Sequence, residues 1–277
     1  LHVRSRRQRQ MCIRDSDNGV SIYVRDKISN ILTVQNDLAS NSIRCIAEDE
    51  QGNYYIGTSD ALSIVTISNG LKVRKTLQEI MYARSIAIGK AGDVAVVNNS
   101  GQLFIINNQM IKETFTLKTG NAETFYTCCK YMDNGDLLVG TTTNEMYRLR
   151  KTNGKYRTIK RYTTGNLQQI SSIASDDQGN YWVCSGSGIG YLQGEKFHTF
   201  DTNTFNSSID NMTMDYQGNL WFTSSRLGLL KLSKTCFTDL FRQYSLEKRV
   251  VNTVTKWQDC IYLSLIHISE PTRLDVI

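Results

Sequence analysis

The chain has 277 residues, a formal net charge of +6, three histidines, seven cysteines and one proline. No apolar run approaches the roughly 20 residues that cross a bilayer as a helix, and no Gly-rich phosphate loop follows a strand and opens a helix. Only His198 lies away from the ends, so neither a zinc-type His/Cys cluster nor a Ser-His-Asp assembly can be built.

Residues 1–16 (LHVRSRRQRQMCIRDS) hold five arginines and show no strand periodicity. Like residues 264–277 (SLIHISEPTRLDVI), they resemble translated sequencing-adapter sequence and are expected to be non-native or disordered. Between them stand 26 Lys and Arg against 23 Asp and Glu. Gly19–Tyr23 reads as the third strand of a unit already under way. From there one phrase recurs: IRCIAEDEQGNYYIGT, SIAIGKAGDVAVVN, TCCKYMDNGDLLVGT, ISSIASDDQGNYWVCS and IDNMTMDYQGNLWFTS. Its turn glycines, Gly52, Gly92, Gly135, Gly179 and Gly218, are spaced by 40, 43, 44 and 39 residues. A period of about 40–45 residues with several strands per unit is that of β-propeller blades.

Nine and six residues before the glycine stand apolar pairs, from Ile43 and Ile46 to Ile209 and Met212. Three before it, Asp49, Asp176 and Asp215 are placed to accept hydrogen bonds from the turn; the oxygen spacing of a calcium loop is missing. After the turn come continuous apolar runs such as Tyr181-Trp182-Val183 and Leu220-Trp221-Phe222, predicting strands buried on both faces, with Trp182 and Trp221 buried at matching positions. Third strands are predicted at Leu62–Val65, Leu103–Ile106, Met146–Leu149, Ile189–Leu192 and Leu229–Leu232. More polar outer strands follow, for example Lys112–Leu117 and Lys196–Asp201. His198 falls on such an outer strand. The basic stretch Arg148–Arg161 reads as a solvated outer hairpin rather than a nucleic-acid stripe. Cys45, Cys128, Cys129 and Cys184 fill small core slots and do not form a disulfide framework. The pattern breaks off inside a further blade at Val254–Leu263. The fold is thus expected to be all-β: a propeller of four-stranded antiparallel blades, five full and two partial, over residues 17–263.

The phrase resembles the two-component regulator propeller repeat, roughly I-x-x-I-x-x-D-x-x-G-N-x-W-(I/V)-G-T followed by a Gly-rich third strand. Ile170–Leu192 and Ile209–Leu232 carry it most fully, and the resemblance covers roughly Asp17 to Leu263. The copy at Gly92 departs from it, with Gly89 and Ala95 for Asp and Trp. The copy at Gly135 has Met132 and Leu138 there. The resemblance implies a segment of a membrane-anchored receptor whose propeller blades bind a ligand outside the cytoplasm, in the periplasm or at the cell surface. The remaining blades and a histidine kinase or diguanylate cyclase output domain would lie elsewhere in the full-length chain, and the membrane would be met only through such segments.

The Asp-turn loops are uniform from blade to blade, and those at the opposite strand ends vary, as recognition loops do. The candidate ligand residues are therefore Asn41, Arg44, Tyr82, Arg84, Phe125, Gln169 and Asp210 from the loops entering the first strands. Asp60, Asn99, Asn144, Ser187 and Arg226 come from the loops between second and third strands. Amides, aromatics and guanidinium groups at a concave mouth suit a small molecule or glycan with an acidic group, with Arg44, Arg84 and Arg226 as its contacts. No catalytic residue, metal, cofactor or nucleic-acid partner is expected. The function expected is non-catalytic ligand sensing; the alternatives are a protein–protein interaction scaffold and, third, a propeller lyase.

Overall fold

The computed structural model describes residues 10–15, 19–24, 27–67, 72–117, 124–233, 250–258, 260–265 and 272–275. The chain divides into two compact units, Leu1–Ser233 and Lys234–Ile277.

The first unit opens with β1 (Gln10–Asp15), β2 (Gly19–Val24) and β3 (Lys27–Leu32), a three-stranded antiparallel sheet. The first blade is β4 (Ile43–Glu48), β5 (Asn53–Thr58), β6 (Leu62–Thr66) and β7 (Lys72–Leu77). The second is β8 (Ala83–Ile88), β9 (Val94–Asn98), β10 (Gln102–Asn107) and β11 (Met110–Thr116). The third is β12 (Tyr126–Tyr131), β13 (Leu137–Thr141), β14 (Glu145–Thr152) and β15 (Lys155–Thr163). The fourth is β16 (Ile170–Ser175), β17 (Tyr181–Ser185), β18 (Gly188–Gln193) and β19 (Lys196–Phe200). The fifth has three described strands, β20 (Ile209–Met214), β21 (Leu220–Ser224) and β22 (Gly228–Leu232). Every sheet is an antiparallel meander, and the first strands β4, β8, β12, β16 and β20 neighbour one another in that order. This is the all-β propeller that the repeat predicted. The second unit holds a meander of β23 (Val251–Trp257), β24 (Cys260–Leu265) and β25 (Thr272–Asp275).

Strands β1 and β25 lie within the two terminal segments set apart in the sequence. Backbone pairing, β1 with β2 and β25 with β24, does not require side-chain alternation. Residues 1–9 lie outside the described residues, as does the place for a fourth strand of the fifth blade, residues 234–249.

The Asp turn is a closed knot of hydrogen bonds. In the fourth blade Asp176 Oδ1 accepts from the amides of Gln178 and Asn180, each at 2.9 Å. Its Oδ2 accepts from Asn180 Nδ2 and Trp182 Nε1, both at 2.9 Å. Asp215 repeats the set with Gln217, Asn219 and Trp221. Asp49 does so with Gln51 and Asn53, and the Tyr55 hydroxyl stands in for the indole at 3.4 Å. Gly179 and Gly218 take φ +80° and +81°, which glycine adopts without strain. Trp182 is buried as expected, but Trp221 is only half-buried. It lies in the last sheet of its unit, with Lys231 Nζ 5.0 Å from its ring centroid.

The second and third blades lack that aspartate and place a carboxylate one residue after the glycine. Asp93 accepts from Asn107 Nδ2 (2.7 Å), Lys151 Nζ (2.6 Å) and the Tyr156 hydroxyl (2.8 Å). Asp136 accepts from Arg148 Nε (2.6 Å) and Arg150 Nε (2.8 Å). Lys151 and Tyr156 belong to the third blade and Asp93 to the second, so this bond also ties blade to blade. Arg148 reaches on to Glu195 of the fourth blade at 2.5 Å, where Lys160 and the Tyr162 hydroxyl also bind. The Arg148–Arg161 stretch is thus an outer hairpin, but it is not simply solvated. Arg148 is buried; Arg148, Lys151 and Lys160 pair with carboxylates of neighbouring blades, and Arg150 and Arg161 with carboxylates of their own.

Apolar cores lie between blades. Leu138, Met146 and Tyr162 of the third pack with Ile170, Ile173 and Val183 of the fourth, and Trp182, Cys184 and Ile189 pack with Ile209, Met212 and Phe222 of the fifth. Approach is close at Gly140, where an added Cβ would meet Ile170 Cγ2 at 2.6 Å and Cys128 Sγ at 2.8 Å. Cys128, Cys129 and Cys184 are buried free thiols, and burial pushes the Cys128 and Cys184 thiols up to about 11 and about 12.

Candidate functional site

All five inner strands of the first unit break register at one repeat position. The shifts fall between Ile43 and Cys45, Ala83 and Ser85, Tyr126 and Cys128, Ile170 and Ser172, and Ile209 and Asn211. The residues left over are Arg44, Arg84, Thr127, Ser171 and Asp210, each eight before its turn glycine. A bulge residue is excluded from the ladder and its side chain is re-aimed. The bulge also keeps the apolar pairs at nine and six before the glycine on one face: Ile170 and Ile173 share one core, as do Ile209 and Met212. Three residues apart on an unbroken strand, they would face opposite ways.

Four of these five side chains, Arg84, Thr127, Ser171 and Asp210, line one cavity of about 350 Å³. It opens at the strand ends opposite the Asp turns. Gln169 and Ser208 from the entering loops, Thr142, Gly186 and Ser225 from the second loops, and Ile170 and Ile209 complete its wall. Gln169 and Ser208 hold left-handed backbone, φ 55° and 49°, as does Tyr82 at 50°. All three stand ten before their glycines. Non-glycine residues adopt that conformation at a cost, and such strain gathers at functional sites.

The rim is belted by backbone hydrogen bonds. Tyr82 N donates to Ser59 O (3.1 Å) and Asn99 N to Tyr82 O (2.9 Å). Thr142 N donates to Phe125 O (3.0 Å), Gln169 N to Thr142 O (3.2 Å), Gly186 N to Gln169 O (3.1 Å) and Ser208 N to Gly186 O (3.0 Å). The entering loops at Tyr82 and Gln169 are thereby tied both to the preceding blade's second loop and to their own.

Of the twelve candidates, Arg84, Gln169 and Asp210 come together in the cavity. The others do not line it. Asn41 Oδ1 accepts from Val34 N (2.9 Å). Arg44 donates from Nε to Ser59 Oγ (3.3 Å) and covers the Tyr82 ring at 5.4 Å. Asp60 caps its own turn, its amide donating to Thr58 Oγ1 (3.2 Å). Tyr82, Asn99 and Phe125 serve the rim through their backbones. Asn144 Nδ2 donates to Gly165 O (3.0 Å), and Ser187 Oγ to Asn166 O (2.9 Å). Arg226 is exposed in the loop after β21. Thr127 and Ser171 were not among the candidates; their spacing from the glycine was the signal that could have found them.

Among the described residues no group of three or more His, Cys, Asp or Glu is placed to hold a metal ion. No helix there is long and apolar enough to cross a membrane.

Blades of this pattern, with a mouth formed by their bulges and loops, define a repeat-built β-propeller. Residues 37–60 match the two component regulator propeller family, which places one of its repeats on the first blade. No curated protein matches the chain. Among solved structures it is similar to the extracellular domain of BT3049 from B. thetaiotaomicron, described as a hybrid two component system (17% identity, TM-score 0.62, 92% of this chain and 36% of that one). It is similar also to the extracellular domain of BT4673 from the same organism, described likewise (16% identity, TM-score 0.65, 93% and 35%). The chain therefore spans about a third of the length of each. A catalytically inactive virginiamycin B lyase from Staphylococcus aureus, solved with quinupristin, shares the fold (14% identity, TM-score 0.55, 96% and 84%).

Proposed function

We propose that the chain is a ligand-sensing propeller segment of an extracytoplasmic signal-transduction receptor, without catalysis of its own. The observation that carries this is the cavity lined by one bulge side chain from each of four successive blades. Its wall sets charged and hydroxyl side chains beside Ile170 and Ile209, its rim is held by backbone bonds, and the blades behind it are set by turns and cores that leave the bulge residues free to vary. The repeat at residues 37–60 and the receptor ectodomains with the same fold support the setting. The output domain and membrane segment of such a receptor would lie outside this chain.

The test is a thermal-shift and calorimetric screen of small acids, amines and oligosaccharides against the chain and its Ser225→Trp variant, whose indole would occupy the mouth. A ligand that stabilises the native chain and is lost in the variant supports sensing at this site. Binding that survives in the variant places the ligand elsewhere. A second reading, a protein-interaction scaffold, draws on the exposed apolar groups of the last blade, Tyr216 at 95% and Leu229 at 59% exposure. It would show partner binding that Ser225→Trp leaves intact and Leu229→Asp abolishes.

A further inference from the structure

The bulge residues are ordered by charge along the blades. Arg84 stands on the second, Thr127 on the third, Ser171 on the fourth and Asp210 on the fifth, and all four line the same cavity. Among the described residues neither Arg84 nor Asp210 has an ion-pair partner, and they do not pair with each other. The hydroxyls between them differ in what they offer. Ser171 spends its proton on Ile209 O at 2.5 Å, leaving its oxygen lone pairs as acceptors beside Asp210. Thr127 donates only to Cys128 Sγ, at 3.9 Å. Sulfur is a weak acceptor, so that proton is readily given to a ligand. The wall thus runs from a cationic donor end to an anionic acceptor end.

We propose, resting on the sensing reading above, that the cavity takes a zwitterionic small molecule. Its carboxylate would be held by Arg84 and Thr127 and its ammonium by Asp210 and Ser171. A purely acidic ligand would leave its anion facing Asp210, and a neutral sugar would leave both protein charges to be desolvated without a partner, which costs free energy. Arg84 offers a planar fork to a carboxylate, and an ammonium offers three protons to acceptors such as the Asp210 carboxylate and the Ser171 hydroxyl oxygen.

The test uses alanyl-alanine and muramic acid, each also as its N-acetyl and methyl ester derivative, titrated calorimetrically into the chain. At least one of the two zwitterions is expected to bind, and each of its derivatives at least roughly 10-fold more weakly, as loss of one charge-assisted contact implies. Arg84→Gln should abolish the preference over the ester alone, and Asp210→Asn the preference over the N-acetyl form alone. Both residues are exposed, so the variants should melt with the parent, and that is checked first. If either unfolds, Arg84→Lys and Asp210→Glu replace them, and each should retain the preference while weakening binding. Equal affinity for a zwitterion and its derivatives would overturn the proposal, as would tighter carboxylate binding in Asp210→Asn. Binding of neither zwitterion would also overturn it, while a different ligand displaced by Ser225→Trp would leave the sensing reading standing.

Discussion

Replacing Asp176 with Ala removes the acceptor of four hydrogen bonds at a turn where nothing else can take them. Gln178 is exposed, so water can satisfy its freed amide at little net loss. Asn180 and Trp182 are different: they are 6% and 7% exposed, and an orphaned buried donor costs about 1–3 kcal/mol. With the charge-assisted bonds lost alongside it, the substitution should cost about 3 kcal/mol. For a unit of this size each kcal/mol moves the melting midpoint by roughly 2–4 °C, so the midpoint should fall by roughly 6–12 °C. Scanning calorimetry on Asp176→Ala, Trp182→Phe and the double variant separates the causes. Trp182→Phe removes the donor itself, so the double variant should be less destabilised than the sum of the singles by about 1 kcal/mol or more. Burial raises the Asp176 carboxyl, but the bonds from Asn180, Trp182 and Gln178 outweigh it and hold it below its ordinary value. A depressed folded-state value gives stability that is full above the unfolded value, about 3.9, and is lost as pH falls through the folded one. Asp176→Ala should therefore flatten the acid limb of the stability curve below about pH 4. A midpoint within roughly 2 °C of the parent, or strict additivity of the two substitutions, would refute the reasoning.

Gly140→Ala drives a methyl group into Ile170 and Cys128 across the blade interface; overpacking of this kind costs about 1–3 kcal/mol and should appear in chemical denaturation as an unchanged slope with a lower midpoint. The bond from Lys160, with those from Arg148 and Tyr162, holds the Glu195 carboxyl at about 2, so its contribution is full above the unfolded value of about 4.3 and fades between there and about 2. Glu195→Gln should remove that part of the acid dependence while leaving stability above pH 6 less dependent on pH than on the lost ion pairs. Cys128, Cys129 and Cys184 should resist an aromatic disulfide reagent at pH 8 and react once the chain is unfolded, because burial keeps them protonated; prompt labelling of all three in the native chain would show that the blades are not packed as described.

The blades were legible because glycine spacing, apolar slots and the Asp turn all report local backbone needs. The expected third strand Met146–Leu149 runs instead from Glu145 to Thr152, because residues 150–152 are polar and join the hairpin through backbone pairing and contacts to other blades. Such contacts leave no periodic trace. Trp221 matched Trp182 in sequence and in its bond to the turn aspartate, yet burial depends on what covers a sheet, which one repeat cannot show. Of the cavity's residues, loop variability singled out Arg84, Gln169 and Asp210 but not Thr127 and Ser171. Loop polarity drew attention to Asn99, Asn144 and Ser187, which bond to the loops entering the first strands. Thr127 and Ser171 looked like ordinary strand residues. The clue was the odd spacing of I-x-x-I, which a regular strand cannot bury on one face.

The bulge separates two demands that a strand normally couples. In an unbroken strand, a change at one position is judged by the core on one face or the neighbour on the other. The leftover residue of each inner strand is left out of the ladder register, so its identity can drift while the apolar pair flanking it stays put. Arg44, Arg84, Thr127, Ser171 and Asp210 show how wide that freedom is: two cations, two hydroxyls and an anion at one repeat position. A fold made in this way can revise the lettering around its mouth one blade at a time, with the scaffold that holds the letters left unedited.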